Sequence, residues 1–130
     1  MRKCFFLLVV TIQIVCLVGS AYAQNVAPCA DEVFANAYIN LTSGKAASFT
    51  ALTYNTCNKI EITSSYLQQK IEGEWVTIAS FSVAGAGINT YACTLREDCS
   101  GLIASGTYRV VGTFSADGHT VTRTSNERTY

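Results

Sequence analysis

Hydrophobic and polar residues alternate with a period of two along most of the chain after residue 32. The alternation is clearest over residues 33–41, 75–81, 106–114 and 119–125. No stretch there keeps the 3.6-residue period of an amphipathic helix. Period-two patterning is typical of strands whose two faces meet different surroundings, so the sequence predicts an all-β chain.

Turn residues divide these runs into short segments. Four segments carry turn or loop signals: N-T-C-N at residues 55–58, E-G-E at residues 72–74, A-G-A-G at residues 84–87 and D-G at residues 117–118. The second and fourth predict β-hairpin tips, the first a turn and the third a flexible loop. A polar loop is expected over residues 96–101, after a short strand over residues 91–95.

The number and spacing of the runs predict one antiparallel, two-sheet β-sandwich of about seven strands, immunoglobulin-like, with two disulfides. A change of parity between Ile62 and Leu67 predicts a bulge near residues 64–65, where an extra residue re-phases the strand. The expected core consists of large apolar side chains: Ile39, Phe49, Ile60, Ile62, Leu67, Trp75, Ile78, Tyr108, Val110, Phe114 and Val121.

The first 23 residues have the organisation of a secretory signal peptide. Arg2 and Lys3 precede an apolar run over residues 4–18, and A-Y-A at residues 21–23 places small residues before Gln24. The run is shorter than the roughly 20 residues that span a bilayer, and small residues rather than basic ones follow it. The sequence therefore predicts a signal peptide over residues 1–23, a single secreted domain over residues 24–130, and no membrane attachment after cleavage.

Composition changes little in this picture. Cleavage removes two basic residues, which leaves seven basic and nine acidic side chains and a net charge of about −2. That balance argues against a strongly basic nucleic-acid-binding protein and against a highly charged disordered chain. The 107 residues that remain suffice for one hydrophobic core.

Four cysteines follow the predicted cleavage site: Cys29, Cys57, Cys93 and Cys99. An even number in a small exported domain predicts two disulfides. Three pairings exist, and the strand order favours Cys29 with Cys57 at one pole and Cys93 with Cys99 near the other. A zinc site or a catalytic thiol is disfavoured, because no Cys-x-x-Cys pair is present and His119 is the only histidine.

Two segments resemble known β-sandwich motifs. S-Y-L-Q-Q-K-I-E-G-E-W-V-T-I at residues 65–78 resembles a strand–turn–strand unit that ends in a tryptophan. S-G-T-Y-R-V at residues 105–110, followed by D-G, resembles the penultimate strand and final hairpin of an immunoglobulin-like or fibronectin-type sandwich, and Tyr108 resembles its tyrosine corner. Val110 stands where antibody domains carry a cysteine, so their inter-sheet disulfide is absent.

Residues 33–125 are also similar to a family of small secreted proteins of unknown function from Gram-positive bacteria. The shared features are an L-Q-x-x-x-x-G-x-W hairpin and a late G-x-Y-R strand. This resemblance implies a fold and no activity.

Few residues have the spacing that catalysis or metal binding requires. His119 follows a hairpin tip and has no predicted partner. The pairs Glu72/Glu74 and Glu97/Asp98 fall on predicted loop tips, whereas glycosidase carboxylates lie in a cleft and calcium needs more oxygen ligands. No catalytic residue, cofactor or metal is expected, and the chain is not expected to be an enzyme.

Three groups of residues are candidates for a binding surface. The loop over residues 84–89 and the tip over residues 72–74 are favoured, because loops positioned by rigid strands often carry binding sites. The threonines at positions 120, 122 and 124 share one strand face. The aromatic residues are a third group, matching either a sugar-stacking platform or ordinary core packing: Tyr38, Tyr54, Tyr66, Trp75, Tyr91 and Tyr130.

These observations favour a secreted, non-catalytic β-sandwich that binds a protein, a glycan or another cell-surface ligand. The alternatives are a structural or accessory protein of an extracellular assembly and, last, a small hydrolase. N-L-T at residues 40–42 matches a glycosylation sequon at Asn40, which has meaning only in a eukaryotic secretory host.

Overall fold

The computed structural model describes residues 32–130, which form seven antiparallel strands. In chain order these are β1 (Phe34–Leu41), β2 (Ala46–Ile71), β3 (Glu74–Ser80), β4 (Gly87–Asp98), β5 (Thr107–Ala116), β6 (His119–Thr124) and β7 (Arg128–Thr129). Strands account for 72% of this part of the chain, which confirms the all-β class. The predicted signal peptide and Cys29 lie outside the described residues. Within residues 32–130 no helix is long and apolar enough to cross a membrane.

The longest strand, β2, organises the sheet because its 26 residues pair with four neighbours. β1 and β4 flank its first half, β5 and β3 flank its second half, and β6 and β7 pair with β5. The predicted turn over residues 55–58 is wrong, because the chain remains a strand there. The register with β4 shifts between Leu52 and Cys57, so these residues form an irregularity inside one strand. The result is a single curled antiparallel sheet.

Curling brings the inner sides of the two halves of β2 around one core. The ring of Phe49 on the first half meets the ring of Phe114 on β5 edge-on, with centroids 6.2 Å apart. The largest fully buried side chains are Tyr108, Phe49, Phe114, Leu41, Ile60, Leu67 and Val110.

Two predicted core residues lie elsewhere. Trp75 pairs with Lys70 and is only half-buried, and Ile78 falls at a register shift between β2 and β3 and is 40% exposed. Ile78 is the extra residue of β3 at this shift, and an extra residue changes which side chains of a strand face the core.

Local signals in the sequence are confirmed where they depend on neighbouring residues. The predicted bulge appears between Ile62 and Ser64. Both predicted hairpins have positive φ at both central residues, 52° and 84° for the E-G turn and 48° and 87° for the D-G turn, as type I′ turns require. The Tyr108 hydroxyl lies 3.4 Å from the Ser105 carbonyl oxygen and accepts from the Ala104 amide at 3.3 Å, as in a tyrosine corner.

The outer edge of β1 is closed by polar side chains from the C-terminal segment. Arg123 Nε donates to the carbonyl oxygen of Ala37 at 3.2 Å. Asn126 Oδ1 accepts from the backbone N–H of Leu41 at 2.8 Å, and Asn126 Nδ2 donates to the Leu41 carbonyl oxygen at 3.1 Å. Arg128 Nε donates to that same oxygen at 2.9 Å. Unpaired strand edges are templates for association, so these bonds protect β1.

Candidate functional site

One cleft is lined by several titratable side chains, among them the candidate residues Cys57 and His119. It encloses about 230 Å³, and its titratable lining residues are Glu32, Cys57, Asp117 and His119. The Asp117 carboxylate accepts the backbone N–H groups of Asn58 and Lys59, both at 3.0 Å. It thereby fastens the β5–β6 hairpin to β2 and has a structural role. Within the described chain no group of three His, Cys, Asp or Glu side chains is placed to hold a metal ion.

The predicted disulfide between Cys93 and Cys99 is wrong. β4 continues to Asp98, so the two residues are separated by about 20 Å of extended chain, far beyond the reach of a disulfide. Within residues 32–130, Cys57, Cys93 and Cys99 form no disulfide with one another. Burial raises the pKa of both Cys93 and Cys99, and protonated thiols are weak nucleophiles and metal ligands. Because Cys29 is outside the described residues, its bridge to Cys57 stays a prediction.

The segment that leads into the favoured loop of residues 84–89 is anchored to the core. Residues 87–89 belong to β4, and Phe81 and Val83, at the start of the β3–β4 connection, pack against buried residues. The Ser65 hydroxyl donates to the Phe81 carbonyl oxygen at 2.7 Å, and the Phe81 ring meets Phe49 edge-on. The start of the connection covers one side of the core, whereas Ala84, Gly85, Ile88 and Asn89 of the predicted loop are exposed.

The most exposed aromatic side chains lie on the first half of β2 and on its neighbours β1 and β4. Tyr38, Leu52 and Tyr54 point outward and are 48%, 37% and 66% exposed, and Tyr91 on β4 is 62% exposed. Tyr38 lies opposite Thr50, and Leu52 is the next outward residue along β2, so these side chains are about 5–8 Å apart. We name Tyr38, Leu52, Tyr54 and Tyr91 the tyrosine face.

Amide and hydroxyl groups lie next to the tyrosine face, and the exposed Arg96 lies opposite Ser48 at one end of it. Asn36 lies opposite Leu52, and Asn40 lies opposite Ser48. The hydroxyls of Thr50 and Thr94 are 3.5 Å apart across β2 and β4. This surface therefore combines aromatic rings with amides and hydroxyls.

Other tyrosines from the sequence-based set do not join this surface. Tyr66 is half-buried on the second half of β2, and the Tyr130 ring packs 6.2 Å from the Tyr108 ring. Its hydroxyl bonds to the Thr42 carbonyl oxygen. These two residues stabilise the domain.

A second aromatic cluster lies on the outer side of β3, β2 and β5. The Arg109 guanidinium carbon is 4.2 Å from the centroid of the Trp75 ring, and Lys70 Nζ is 5.4 Å from it. Gln68 joins the strands, because its Oε1 accepts from Arg109 Nε at 2.7 Å and its Nε2 donates to the Thr77 hydroxyl at 3.3 Å. We name Gln68, Lys70, Trp75, Thr77 and Arg109 the tryptophan cluster. The sequence alone does not predict it, because its residues are brought together only by the register of three strands.

The threonine residues on β6 point outward, as predicted, but part of their hydrogen-bonding capacity is used within the sheet. Thr122 shares a 2.8 Å hydrogen bond with Thr113 on β5. Thr107 and Thr129 form a similar 2.8 Å pair between β5 and β7. These pairs stabilise adjacent strands.

Comparison of the chain with known protein families, with curated proteins and with solved structures found no match. The surfaces described above are therefore the basis for a functional proposal.

Proposed function

We propose that this chain is a secreted, non-catalytic binding module that holds a carbohydrate on the tyrosine face. The observation that carries the proposal is the exposure of three phenol rings on the adjacent strands β1, β2 and β4. Tyr54 and Tyr91 are more than 60% exposed, although large aromatic side chains normally contribute to the core of so small a domain. Contiguous exposed apolar surface marks interaction sites.

The surroundings of the rings favour a hydroxyl-rich ligand. A phenol ring offers an apolar face to the C–H groups of a sugar, and its hydroxyl both donates and accepts hydrogen bonds. The nearby Asn36, Asn40, Thr50 and Thr94 add neutral donors and acceptors. A protein interface of ordinary size has a core of large apolar anchors, whereas Leu52 is the single aliphatic member of this surface.

A non-catalytic role is supported by the state of the groups that chemistry requires. In the described cleft, the carboxylate of Asp117 is occupied by two backbone amides, and His119 lies on the rim at the exposed end of β6. The thiols of Cys93 and Cys99 have raised pKa values because they are partly or fully buried. None of these side chains forms a nucleophile–base pair.

We also propose the Cys29–Cys57 disulfide and secretion of the mature chain from Gln24. Cys57 is buried in the wall of the cleft that Glu32 and Val33 also line, and Cys29 precedes Glu32 by three residues. Because Cys57 lines the same cleft as Glu32, a short extended segment of chain from Glu32 is enough to bring Cys29 to Cys57. Non-reducing peptide mapping of secreted protein is expected to find a Cys29–Cys57 peptide, and a Cys57–Cys93 peptide would contradict the topology.

The arrangement of strands supports an immunoglobulin-like sandwich. The first half of β2 with β1 and β4, and the second half with β3, β5 and β6, enclose the core from two sides, with Phe49 facing Phe114. The tyrosine corner at Tyr108 and the final D-G hairpin agree with that family of folds and with the resemblance to small secreted Gram-positive proteins.

The test is binding of the mature protein, residues 24–130, to an array of neutral and acidic oligosaccharides. The wild-type chain is compared with Tyr38→Ala/Tyr54→Ala and with Thr122→Ala/Thr124→Ala, a pair of outward positions on β6. We expect neutral glycans to bind the wild type and the threonine variant but not the tyrosine variant.

A blank array for the wild type, or equal binding by the tyrosine variant, would contradict the proposal. A tyrosine-dependent complex with a protein, in place of glycan binding, would show that the ligand class is wrong. Turnover of any arrayed glycan would contradict the non-catalytic role.

A further inference from the structure

Two cations converge on the single tryptophan of the chain although their charges repel. Arg109 and Lys70 lie 4.2 Å and 5.4 Å from the centroid of the Trp75 ring. The salt bridge found among residues 32–130 joins Lys59 to Glu61 and involves neither of them. The tryptophan cluster therefore presents two positive charges with an aromatic ring, and no described carboxylate forms a salt bridge with either cation.

The guanidinium of Arg109 is held in a fixed orientation. Gln68 Oε1 accepts from its Nε at 2.7 Å, and Gln68 is itself oriented by the hydroxyl of Thr77. The ring of Trp75 restricts Arg109 further by stacking. With Nε occupied, the two Nη groups keep four N–H donors in one plane, which is the geometry that binds an oxyanion through two parallel hydrogen bonds.

The surface around these cations is polar, and within residues 32–130 no carboxylate forms a salt bridge with either of them. Thr77 lies on β3, and Thr107 and Thr129 pair on β5 and β7. Glu72 in the β2–β3 turn and Glu74, the first residue of β3, are exposed and form no salt bridge with Arg109 or Lys70. Arginine side chains that are fixed but lack a carboxylate partner are suited to recognition of anionic groups.

We propose that the tryptophan cluster is a second binding site, which takes the sulfate or carboxylate group of an acidic glycan. Arg109 Nη groups bind two oxygens of the anion, and the flexible Lys70 ammonium binds it from the side. A sugar ring is favoured as the carrier because the flat strand surface next to the cations offers threonine hydroxyls. The site lies on the opposite half of β2 from the tyrosine face and depends on different residues, but its carrier rests on the proposed carbohydrate binding.

Trp75 makes the proposal directly measurable, because its fluorescence reports on one place in the chain. The mature protein, residues 24–130, is titrated with a heparin-derived hexasaccharide, a hyaluronan hexasaccharide and maltohexaose. The first carries sulfates and carboxylates, the second carboxylates only, and the third is neutral. We expect a saturable change of emission with heparin or hyaluronan hexasaccharides and none with maltohexaose, and the comparison of the first two identifies the anion.

Matched variants separate this site from the overall charge. Arg109→Gln is expected to weaken binding at least about tenfold, because it removes the bidentate donor. Arg96→Gln changes the net charge by the same amount on β4, beside the first half of β2. Because this charge is remote from the tryptophan cluster and screened, the change is expected to weaken binding less than about twofold.

Gln68→Glu tests the same site without removing a cation. The new carboxylate pairs with Arg109 in place of the amide, so the cluster is retained while the anion is excluded. We expect an unchanged or higher thermal midpoint and loss of the fluorescence response. Tyr38→Ala/Tyr54→Ala is expected to keep the response, which distinguishes this site from the tyrosine face.

No change of Trp75 emission with either acidic hexasaccharide would overturn the proposal. Equal weakening by Arg96→Gln and Arg109→Gln would also overturn it, because binding would then follow net charge alone. A folded Gln68→Glu variant that binds the acidic hexasaccharides as the wild type does would also overturn the proposal.

Discussion

The two aromatic clusters of this domain lie on the two halves of one strand and differ in what their rings contact. In the tryptophan cluster, the ring of Trp75 is half-buried beneath Arg109 and Lys70, cations of the same domain. In the tyrosine face, neither Tyr38 nor Tyr54 makes a ring–ring or cation–ring contact within the described chain, and both rings remain about half exposed or more. An aromatic ring with intramolecular partners contributes to stability, whereas a ring without them is available to a ligand.

The largest expected effect is on ligand binding through the tyrosine face. Tyr38→Ala/Tyr54→Ala should weaken binding of a neutral oligosaccharide by about 100-fold, as expected when two aromatic anchors are removed. The free energy of unfolding should change by less than about 1 kcal/mol, because both side chains are exposed. Calorimetric titration and urea unfolding measure the two quantities. If Trp75→Ala weakened the same interaction as much, the distinction between the clusters would fail.

The next effect is on stability through the tryptophan cluster. Trp75→Ala should lower the free energy of unfolding by about 1–2 kcal/mol, because it removes two cation–π contacts and partly buried apolar surface. Tyr54→Ala is the matched control, since it removes a ring of similar size that has no such contacts, and it should lower the free energy by less than about 0.5 kcal/mol. Equal losses in urea unfolding would show that the partners of Trp75 contribute nothing.

A smaller effect is expected at the edge strand beside the tyrosine face. Asn126→Ala leaves the backbone N–H of Leu41 without its partner and should lower the free energy of unfolding by about 1 kcal/mol. Hydrogen exchange should quicken at Leu41 more than at amides of β3. Asn55→Ala, at an exposed position whose side chain makes no described hydrogen bond, is the control. Unchanged exchange at Leu41 would show that the Asn126 contact does not hold the edge.

The smallest effect is a loss of stability at alkaline pH, which we expect from the two thiols beside the first half of β2. Cys93 and Cys99 flank the first half of β2, and burial raises the pKa of both thiols. A raised pKa in the folded state means that the stabilisation is complete below the unfolded thiol pKa, about 8.5, and is lost as pH rises through the folded value. Under reducing conditions, urea midpoints should therefore fall between neutral pH and pH 10.

Cys93→Ala/Cys99→Ala provides the control for the alkaline effect. The variant starts from a lower stability because Cys99 is fully buried, but its urea midpoint should depend less on pH. The same alkaline slope in the variant and the wild type would exclude the two thiols as its cause.

Features that depend on neighbouring residues could be predicted from the sequence. The two hairpins follow from glycine at the second position of each turn, and the bulge near Ser64 follows from the shift of apolar parity. The predicted core position of Tyr108 is confirmed, and it follows from the G-x-Y that begins a strongly alternating strand.

Features that depend on strand pairing could not be predicted. The residues at 55–58 have turn propensities, yet β4 pairs with β2 on both sides of them and keeps the chain extended. Cys93 and Cys99 are close in sequence, but the extension of β4 to Asp98 separates them. Alternation alone does not say which side of a strand faces the core, and the predicted core position of Trp75 is wrong for this reason. The contact of Gln68 with Arg109 joins residues 41 positions apart and requires the β2–β5 register.

The central claim is that ligand contacts the outward side of β1, β2 and β4, and backbone NMR measures this most directly. The mature protein is titrated with the neutral oligosaccharide that gives the strongest array signal, and shifts of its amide resonances are mapped on the sheet. We expect the largest shifts at Tyr38, Leu52, Tyr54 and Tyr91 and none at residues 72–74 or 84–86. Shifts confined to those two loops, with the tyrosine amides unchanged, would contradict the account.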